Sequence, residues 1–362
     1  MTLFNKKIIL SLFLSFLLIF NLPLQAAQTT DGPVETTQKS IHKKTKKKKP
    51  KHLRQKKKRK KSPSIKKKNK AASPPGSHRV VEANDLPIEN VFQSPVVIEG
   101  STIQNMVENE LIHLKASRRL LPGDEISLQL YDLNAKKMLA DINGNETRNA
   151  ASLIKLFVML AVYDSIFRQE FQETPEIEHH LYRMIAVSDN GATNYLIRRL
   201  GKGDALQGIM IINALVRRVG FSSTRLRELI PDGGKTYANQ TSTADTTLFY
   251  RLLYEQKLIS PQYSQKMNEL LLKNIHDRIK TPQIKRDGVS VADKTGYVRG
   301  LNGDCGIVYQ KSLTNGCDYA LSIIIENKTR PSDGGWGKKK SSVIRYLSDR
   351  IYLALKNGQS KS

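Results

Sequence analysis

The 362-residue sequence contains only two cysteines, one tryptophan and seven histidines, and this scarcity excludes several kinds of site. The cysteines, Cys305 and Cys317, form no CxxC pair, and His and Cys nowhere cluster with the spacing of a metal site. The sequence therefore predicts no structural zinc site. Nothing else in the sequence implies a metal or an organic cofactor. An even number of cysteines allows one disulfide in an oxidising compartment, and the sequence leaves that bond open.

The N-terminal apolar run is short for a membrane span. It follows Lys6 and Lys7, extends from Ile8 to about Phe20, and is succeeded by small residues. A transmembrane helix needs about 20 apolar residues, so the pattern is typical of a cleaved signal peptide over residues 1–26, with a membrane anchor as the alternative. The sequence therefore predicts an exported protein that is periplasmic or secreted.

Acidic residues are absent from residues 41–70, which hold 18 Lys or Arg. Of the formal net charge of +26, 18 therefore belong to this segment and +8 remain for the rest of the chain. Self-repulsion and the lack of apolar side chains predict that residues 27–95 are disordered. The segment could tether the protein to an anionic envelope polymer or a membrane surface, or serve as a solvated linker. No specific nucleic-acid partner is expected for an exported chain.

A globular composition begins near Val96, which predicts one domain over residues 96–362 and, we expect, a monomer. Strand patterns occur near both ends of this domain, over 125–141 and 289–327, and helical patterns lie between them and over 102–118 and 340–356. This order predicts an α+β domain with an antiparallel sheet formed from both ends and an inserted helical lobe. The segment after Ala151 is apolar on every side and predicts a buried central helix.

Three short motifs occur in order within this domain: Ser152-Leu-Ile-Lys155, Ser188-Asp-Asn190 and Lys294-Thr-Gly296. An S-x-x-K motif alone carries little information, since Ser64 begins another one in the Lys-rich segment. The joint occurrence is the informative feature, because the motifs coincide with a predicted helix start, a helix junction and a strand.

The first motif places a hydroxyl and an amine at the start of the buried helix. There, unpaired N–H groups favour a developing oxyanion, and Lys155 lies on the same helix face as Ser152. Lys155 must be neutral to accept the serine proton, although the ordinary pKa of lysine is about 10.4. Burial and the charge of Lys294 would lower that pKa. The alternative is that Ser152 only caps the helix and Lys155 reaches solvent.

The other two motifs supply groups that could bind and protonate a substrate. Ser188 could relay a proton and Asn190 could bind a peptide-like amide, while the intervening Asp holds the turn; a plain helix N-cap is the alternative. Lys294 and Thr295 on a strand could bind an extended substrate that carries a carboxylate, next to a strand edge without a side chain at Gly296. The backbone N–H of Tyr297 would then join that of Ser152 as an oxyanion hole.

The three motifs together resemble those of the serine β-lactamase and penicillin-binding protein superfamily, and their layout is most similar to class A β-lactamases. The resemblance covers roughly residues 98–356. It implies that Ser152 is acylated by a β-lactam or a D-alanyl-D-alanine peptidoglycan stem peptide. It further implies that Lys155 and Ser188 transfer protons, that Asn190 binds the side-chain amide, and that Lys294 and Thr295 receive the carboxylate.

The resemblance predicts a β-lactamase-type hydrolase, with a D,D-peptidase as the first alternative. A non-catalytic module that binds the cell wall is an alternative of another class. The stretch between Ser152 and Ser188 is shorter than in typical class A enzymes, so the helical lobe is expected to be reduced.

Two departures from the class A pattern affect the expected chemistry. Ile230 occupies the position expected for the general-base glutamate, and Glu228 comes two residues early. Without that base, deacylation would be slow, as in a penicillin-binding peptidase. Cys305 occupies the position where many class A enzymes carry an arginine, and Arg299 is either its replacement or an ordinary surface residue.

Overall fold

The structure, a computed structural model, describes residues 103–310, 317–331 and 335–358. The predicted signal peptide, the Lys-rich segment and the first residues of the predicted domain lie outside these ranges. Within them, no helix combines the length and the apolarity that crossing a membrane requires.

The strands of the described residues are β1 Glu125–Asp132, β2 Lys137–Ile142, β3 Arg148–Asn149, β4 Gln240–Thr241, β5 Ser290–Val298, β6 Leu301–Tyr309 and β7 Tyr319–Glu326. Five of these strands form the main sheet, which is antiparallel and has the order β2-β1-β7-β6-β5. The short strands β3 and β4 pair separately, next to the helical lobe. In the main sheet Leu128 lies opposite Ile323, so strands from the two ends of the domain are neighbours. The predicted α+β fold is therefore confirmed.

The helices occur mainly between β3 and β5. They are α1 Ile103–Ala116, α2 Lys155–Phe167, α3 Pro175–Ala186, α4 Asn190–Leu200, α5 Ala205–Val219, α6 Thr243–Tyr254, α7 Pro261–Leu271, α8 Pro282–Arg286 and α9 Gly335–Gly358. From α3 to α8, each helix follows a side chain that accepts a backbone N–H bond, as N-caps do: Thr174, Asp189, Asp204, Ser242, Ser260 and Thr281. The patterns did not predict α8, and α9 begins before residue 340.

Both faces of the sheet are buried. Helices α1 and α9 pack in the core on one face, whereas α2 to α7 share the core on the other. The neighbours Ile323 and Ile324 belong to different cores, which explains why β7 reads as a continuous apolar run. Every residue of α2 from Lys155 to Ile166 is buried, so the predicted central helix is confirmed.

The two cysteines are not joined by a disulfide. Both are buried, but Cys305 belongs to the core on one face of the sheet and Cys317 to the core on the other. Cys305 lies opposite Ser322 and Lys294 in its strand pairs. The side chains of Cys305 and Cys317 therefore lie on opposite faces of the sheet and cannot form a disulfide.

Candidate active site

Ser152 lies on a tight 3-10 turn, Ala151–Ile154, that immediately precedes α2. Ala151 has a φ of 42°, an unusual value for a residue with a side chain, and its N–H donates to Asn149 Oδ1 over 2.7 Å. Ala151 and Leu153 are buried, while Ser152 is half-buried and borders a cleft. No side chain caps either this turn or α2, so Ser152 is not the helix cap that the sequence allowed.

Lys155, the first residue of α2, is fully buried and holds the second motif in place. Its Nζ donates to the carbonyl oxygen of Ser188 over 2.6 Å and to Asn190 Oδ1 over 2.9 Å. A third contact, of 3.1 Å, joins Nζ to Ser188 Oγ. The amine of Lys155 is therefore bonded to these three oxygens inside the protein, and it does not reach solvent as the alternative from the sequence allowed.

Ser188 joins the two lysines of the site. Its Oγ lies 3.1 Å from Lys155 Nζ and also 3.1 Å from Lys294 Nζ. Its φ of 59° is in the left-handed region, which non-glycine residues adopt uncommonly and which recurs at functional sites. Lys294 Nζ also donates to the carbonyl oxygen of Thr295 over 3.0 Å. A proton could therefore pass between the lysines through one hydroxyl.

The two buried lysines have lowered pKa values. Burial, followed by the charge of Lys294, holds the pKa of Lys155 well below its ordinary value, and Asp189 opposes this only in part. Burial also lowers the pKa of Lys294 to about 8, although the nearby carboxyls of Asp293 and Asp304 favour its charged form. Lys155 can therefore be neutral, as a base must be, while Lys294 stays charged near neutral pH.

Asp189 points away from the lysines and fixes the turn between α3 and α4. Its Oδ1 accepts the N–H of Ala192 over 2.6 Å, and its Oδ2 accepts a bond from Arg183, also over 2.6 Å. Within the second motif, Asp189 is thus a helix N-cap, while Ser188 and Asn190 contact the lysines of the site. The two alternatives drawn from the sequence are compatible.

Strand β5 lies at the edge of the sheet and presses against the turn that carries Ser152. A Cβ on Gly296 would lie 2.9 Å from Leu153 Cγ and 3.3 Å from the carbonyl oxygen of Ala150. The missing side chain therefore serves the contact with this turn, rather than leaving the strand edge open as the sequence suggested. The contact brings Tyr297 into the wall of the cleft that Ser152 borders.

The cleft has a volume of about 380 Å³. Its walls come from the turn before α2, the start of α4, the end of β5 and a loop between α5 and α6. The residues are Ala151, Ser152, Ser188, Asn190, Ile230, Gly233, Gly234, Lys235, Thr236, Tyr297, Val298 and Arg299. Lys155, Lys294 and Thr295 are buried next to it. The structure thus brings all the predicted site residues together.

The loop between α5 and α6 presents Ile230 to the cleft. Asn194 holds the backbone of Ile230 on both sides, accepting its N–H over 2.9 Å and donating to its carbonyl oxygen over 2.7 Å. Glu228 is occupied within the loop, where its Oε1 accepts a bond from Thr236 Oγ1 over 2.7 Å and lies near the amide of Tyr237. No carboxylate is present among the cleft residues that the structure describes.

Sequence reasoning missed a group of buried polar residues behind Lys294. Asp293 and Asp304 lie on neighbouring strands, and burial raises the pKa of both carboxyls. Asn274 donates to Asp293 Oδ2 over 2.7 Å, and the charge of Arg278 acts on Asp304. The signal was present, since acidic residues inside two otherwise buried strands call for partners.

Comparison with known proteins identifies relatives of this arrangement. The sequence profile of the Beta-lactamase enzyme family matches residues 165–355, which include the second and third motifs but begin after Lys155. A β-lactamase of Phocaeicola vulgatus is 26% identical over 182 residues, which cover 48% of this chain and 54% of that protein. The alignment therefore spans about half the length of that relative.

Solved structures share the fold. A mutant of PBP-A, solved as its acyl-enzyme complex with penicillin G, superposes with a TM-score of 0.56 and 22% identity over 69% of this chain and 96% of that chain. A β-lactamase from Sphaerobacter thermophilus gives a TM-score of 0.56 with 21% identity over 68% of this chain and 95% of that one. At these identities the superpositions establish the fold.

Proposed function

Because the chain belongs to the beta-lactamase enzyme family, we propose that it is a serine hydrolase that forms an acyl-enzyme through Ser152. The observation that carries the proposal is that Lys155, three residues after the cleft residue Ser152, is buried and hydrogen-bonded to Ser188 and Asn190 of the same cleft. The acyl-enzyme reported for PBP-A with penicillin G supports a β-lactam as the first ligand to test.

Acylation begins with proton transfer from the Ser152 hydroxyl to neutral Lys155 as Oγ attacks the carbonyl carbon. The N–H groups of Ser152 and Tyr297 stabilise the developing oxyanion at the contact around Gly296. Asn190 binds the amide of the acyl side chain, and Lys294 with Thr295 binds the carboxylate. The proton then passes from Lys155 through Ser188 Oγ to the leaving nitrogen, because that oxygen contacts both lysines.

Hydrolysis of the acyl-enzyme requires a base for the attacking water, and Ile230 occupies the cleft wall where a glutamate was expected. The carboxylate of Glu228 is already bonded to Thr236. This observation favours a second candidate function, a D,D-peptidase or penicillin-binding protein with slow release of the β-lactam. A non-catalytic wall-binding module remains the alternative in which Ser152 forms no covalent bond.

The test is the intact mass of the full chain over time after penicillin G is added, with Ser152→Ala as the matched control. We expect a penicilloyl adduct on the wild type and none on the variant. Rapid loss of the adduct with turnover would indicate a β-lactamase, and a persistent adduct would indicate a penicillin-binding peptidase. No adduct, with binding that survives Ser152→Ala, would refute the enzyme proposal in favour of the module.

We also propose that the chain is exported and that the Lys-rich segment contacts an anionic envelope surface. The support is the N-terminal sequence pattern, which lies outside the described residues. Fractionation of cells that express the full chain or a chain lacking residues 2–26 tests export. Equal cytoplasmic retention of both chains would contradict it.

A further inference from the structure

The cleft that Ser152 borders includes residues at the end of β5. Tyr297, Val298 and Arg299 border it, whereas Lys294 and Thr295 are buried beside it. A strand rises about 3.3 Å per residue, so Val298 at the end of β5 lies about 10 Å beyond Thr295, and Arg299 follows it in the turn to β6. If the carboxylate of the leaving side binds at Lys294 and Thr295, the opposite end of the cleft receives the acyl side of the substrate.

That end of the cleft carries unpaired positive charge. Lys235 and Arg299 border the cleft, and Arg330 borders a smaller cavity of about 90 Å³ that also has Arg299 in its wall. All three side chains are exposed, and none forms an ion pair with a carboxylate in the part of the chain that the structure describes.

The guanidinium of Arg299 is held through its Nε, which leaves its two terminal nitrogens able to bind a ligand. Its Nε donates to the carbonyl oxygens of Arg330 over 2.8 Å and Pro331 over 3.2 Å, whereas its terminal nitrogens have no bonding partner among the described residues. Arg330 stacks on the ring of Tyr237, 3.6 Å from its centroid, and Tyr237 donates to the carbonyl oxygen of Arg299 over 3.2 Å. These contacts order two guanidinium groups before any ligand binds, which favours planar recognition of a carboxylate.

The acidic residues described near these arginines form no ion pair with them. Glu326 borders the smaller cavity, where burial raises the pKa of its carboxyl, and it does not border the cleft beside Ser152. Glu228 is bonded to Thr236 inside the loop. Among the described residues, the cleft at this end is therefore bordered by cationic side chains and by no carboxylate.

We propose that Arg299, supported by Arg330, selects substrates whose acyl side carries a second carboxylate. The inference rests on the proposed function and names a substrate class for the same site: acyl donors with an acidic side chain, such as an acidic peptide. It gives Arg299 a task different from that of the arginine missing at Cys305, because Arg299 lies at the other end of the cleft.

The test compares the second-order rate constants for acylation by penicillin G and by carbenicillin, which adds one carboxylate to the same acyl side chain. We expect the wild type to favour carbenicillin and Arg299→Gln to lower the carbenicillin-to-penicillin G ratio about tenfold, with a smaller loss for Arg330→Gln. The wild-type preference should weaken as ionic strength rises, because these arginines are exposed.

Arg217→Gln is the matched control, since it removes one exposed arginine on α5 and should leave the ratio unchanged. An equal ratio in the wild type and in Arg299→Gln would overturn the inference while leaving the proposed function intact. The absence of a Ser152 adduct with both penicillins would instead overturn the proposed function, and this inference with it.

Discussion

Replacing Ile230 with glutamate should convert a long-lived acyl-enzyme into one that turns over. Ile230 is 3% exposed and borders the same cleft as Ser152. A carboxylate there would be partly desolvated, so its pKa should rise above the ordinary glutamate value of about 4.3. A base with a raised pKa is better matched to neutral pH and could activate a water beside the acyl carbonyl.

The size of the effect follows from how well the new base is held. A positioned general base contributes about 100- to 10,000-fold, or about 2.7–5.5 kcal/mol. Asn194 fixes the backbone of Ile230, but its side-chain amide is already used by that backbone and cannot orient the new carboxylate. We therefore expect the lower end, about a 100-fold shorter adduct lifetime. Burying the polar group should also cost about 1–3 kcal/mol of folding stability.

The assay is adduct lifetime by intact mass for the wild type, Ile230→Glu and Ile230→Gln. The glutamine variant has the same shape without the base, so it separates chemistry from loosened packing. The lifetime in Ile230→Glu should shorten as pH rises, whereas that in Ile230→Gln should not. Equal lifetimes in the two variants, or rapid turnover by the wild type, would refute the reasoning.

Two further predictions concern charged groups. Because the pKa of Lys294 is lowered to about 8, its charge is present below that pH and lost above it, so acylation by penicillin G should fall as pH rises through about 8. Lys294→Arg keeps the charge and should move this decline to higher pH; an identical decline in rate–pH profiles of both proteins would contradict the assignment. The side chain of Asp124 is buried and forms an ion pair with that of Lys340. Burial would raise its pKa, but hydrogen bonds from Lys340 and Asn327 outweigh burial and lower it. Its contribution is therefore present above the ordinary carboxyl pKa and lost as pH falls. Asp124→Asn should lower the free energy of unfolding at pH 7 by about 3–5 kcal/mol and weaken its decline in acid, measured by urea unfolding; a loss below about 1 kcal/mol would contradict this.

The fold could be predicted from local signals because those signals agree with each other. Helix caps such as Thr174 and Ser260 precede prolines and apolar repeats, so the helix starts were visible in the sequence. The apolar run of β7 indicated a strand, and the structure buries that strand on both faces. The order of the motifs then indicated which helix and which strand would meet.

The details of the site depended on contacts between distant segments. Ala151 has left-handed backbone angles, and its N–H donates to the side chain of Asn149. The preceding residue, Ala150, donates its N–H to the carbonyl oxygen of Asn239, over 2.8 Å, in the loop between α5 and α6. No local pattern predicts such a turn. The sequence showed that Asp293 and Asp304 each need a partner, but it could not show that they lie close together, because their proximity follows from strand register rather than sequence spacing.

The pairing of β1 with β7 also constrains how the domain folds. Glu125 lies opposite Glu326, so the middle of the sheet cannot form until a ribosome has completed nearly the whole domain. Until then the β1–β2 hairpin lacks its neighbour, and a two-stranded hairpin alone is marginally stable. The cleft beside Ser152, which the end of β5 borders, should therefore form only after most of the domain has been made, and such non-local pairing also slows folding.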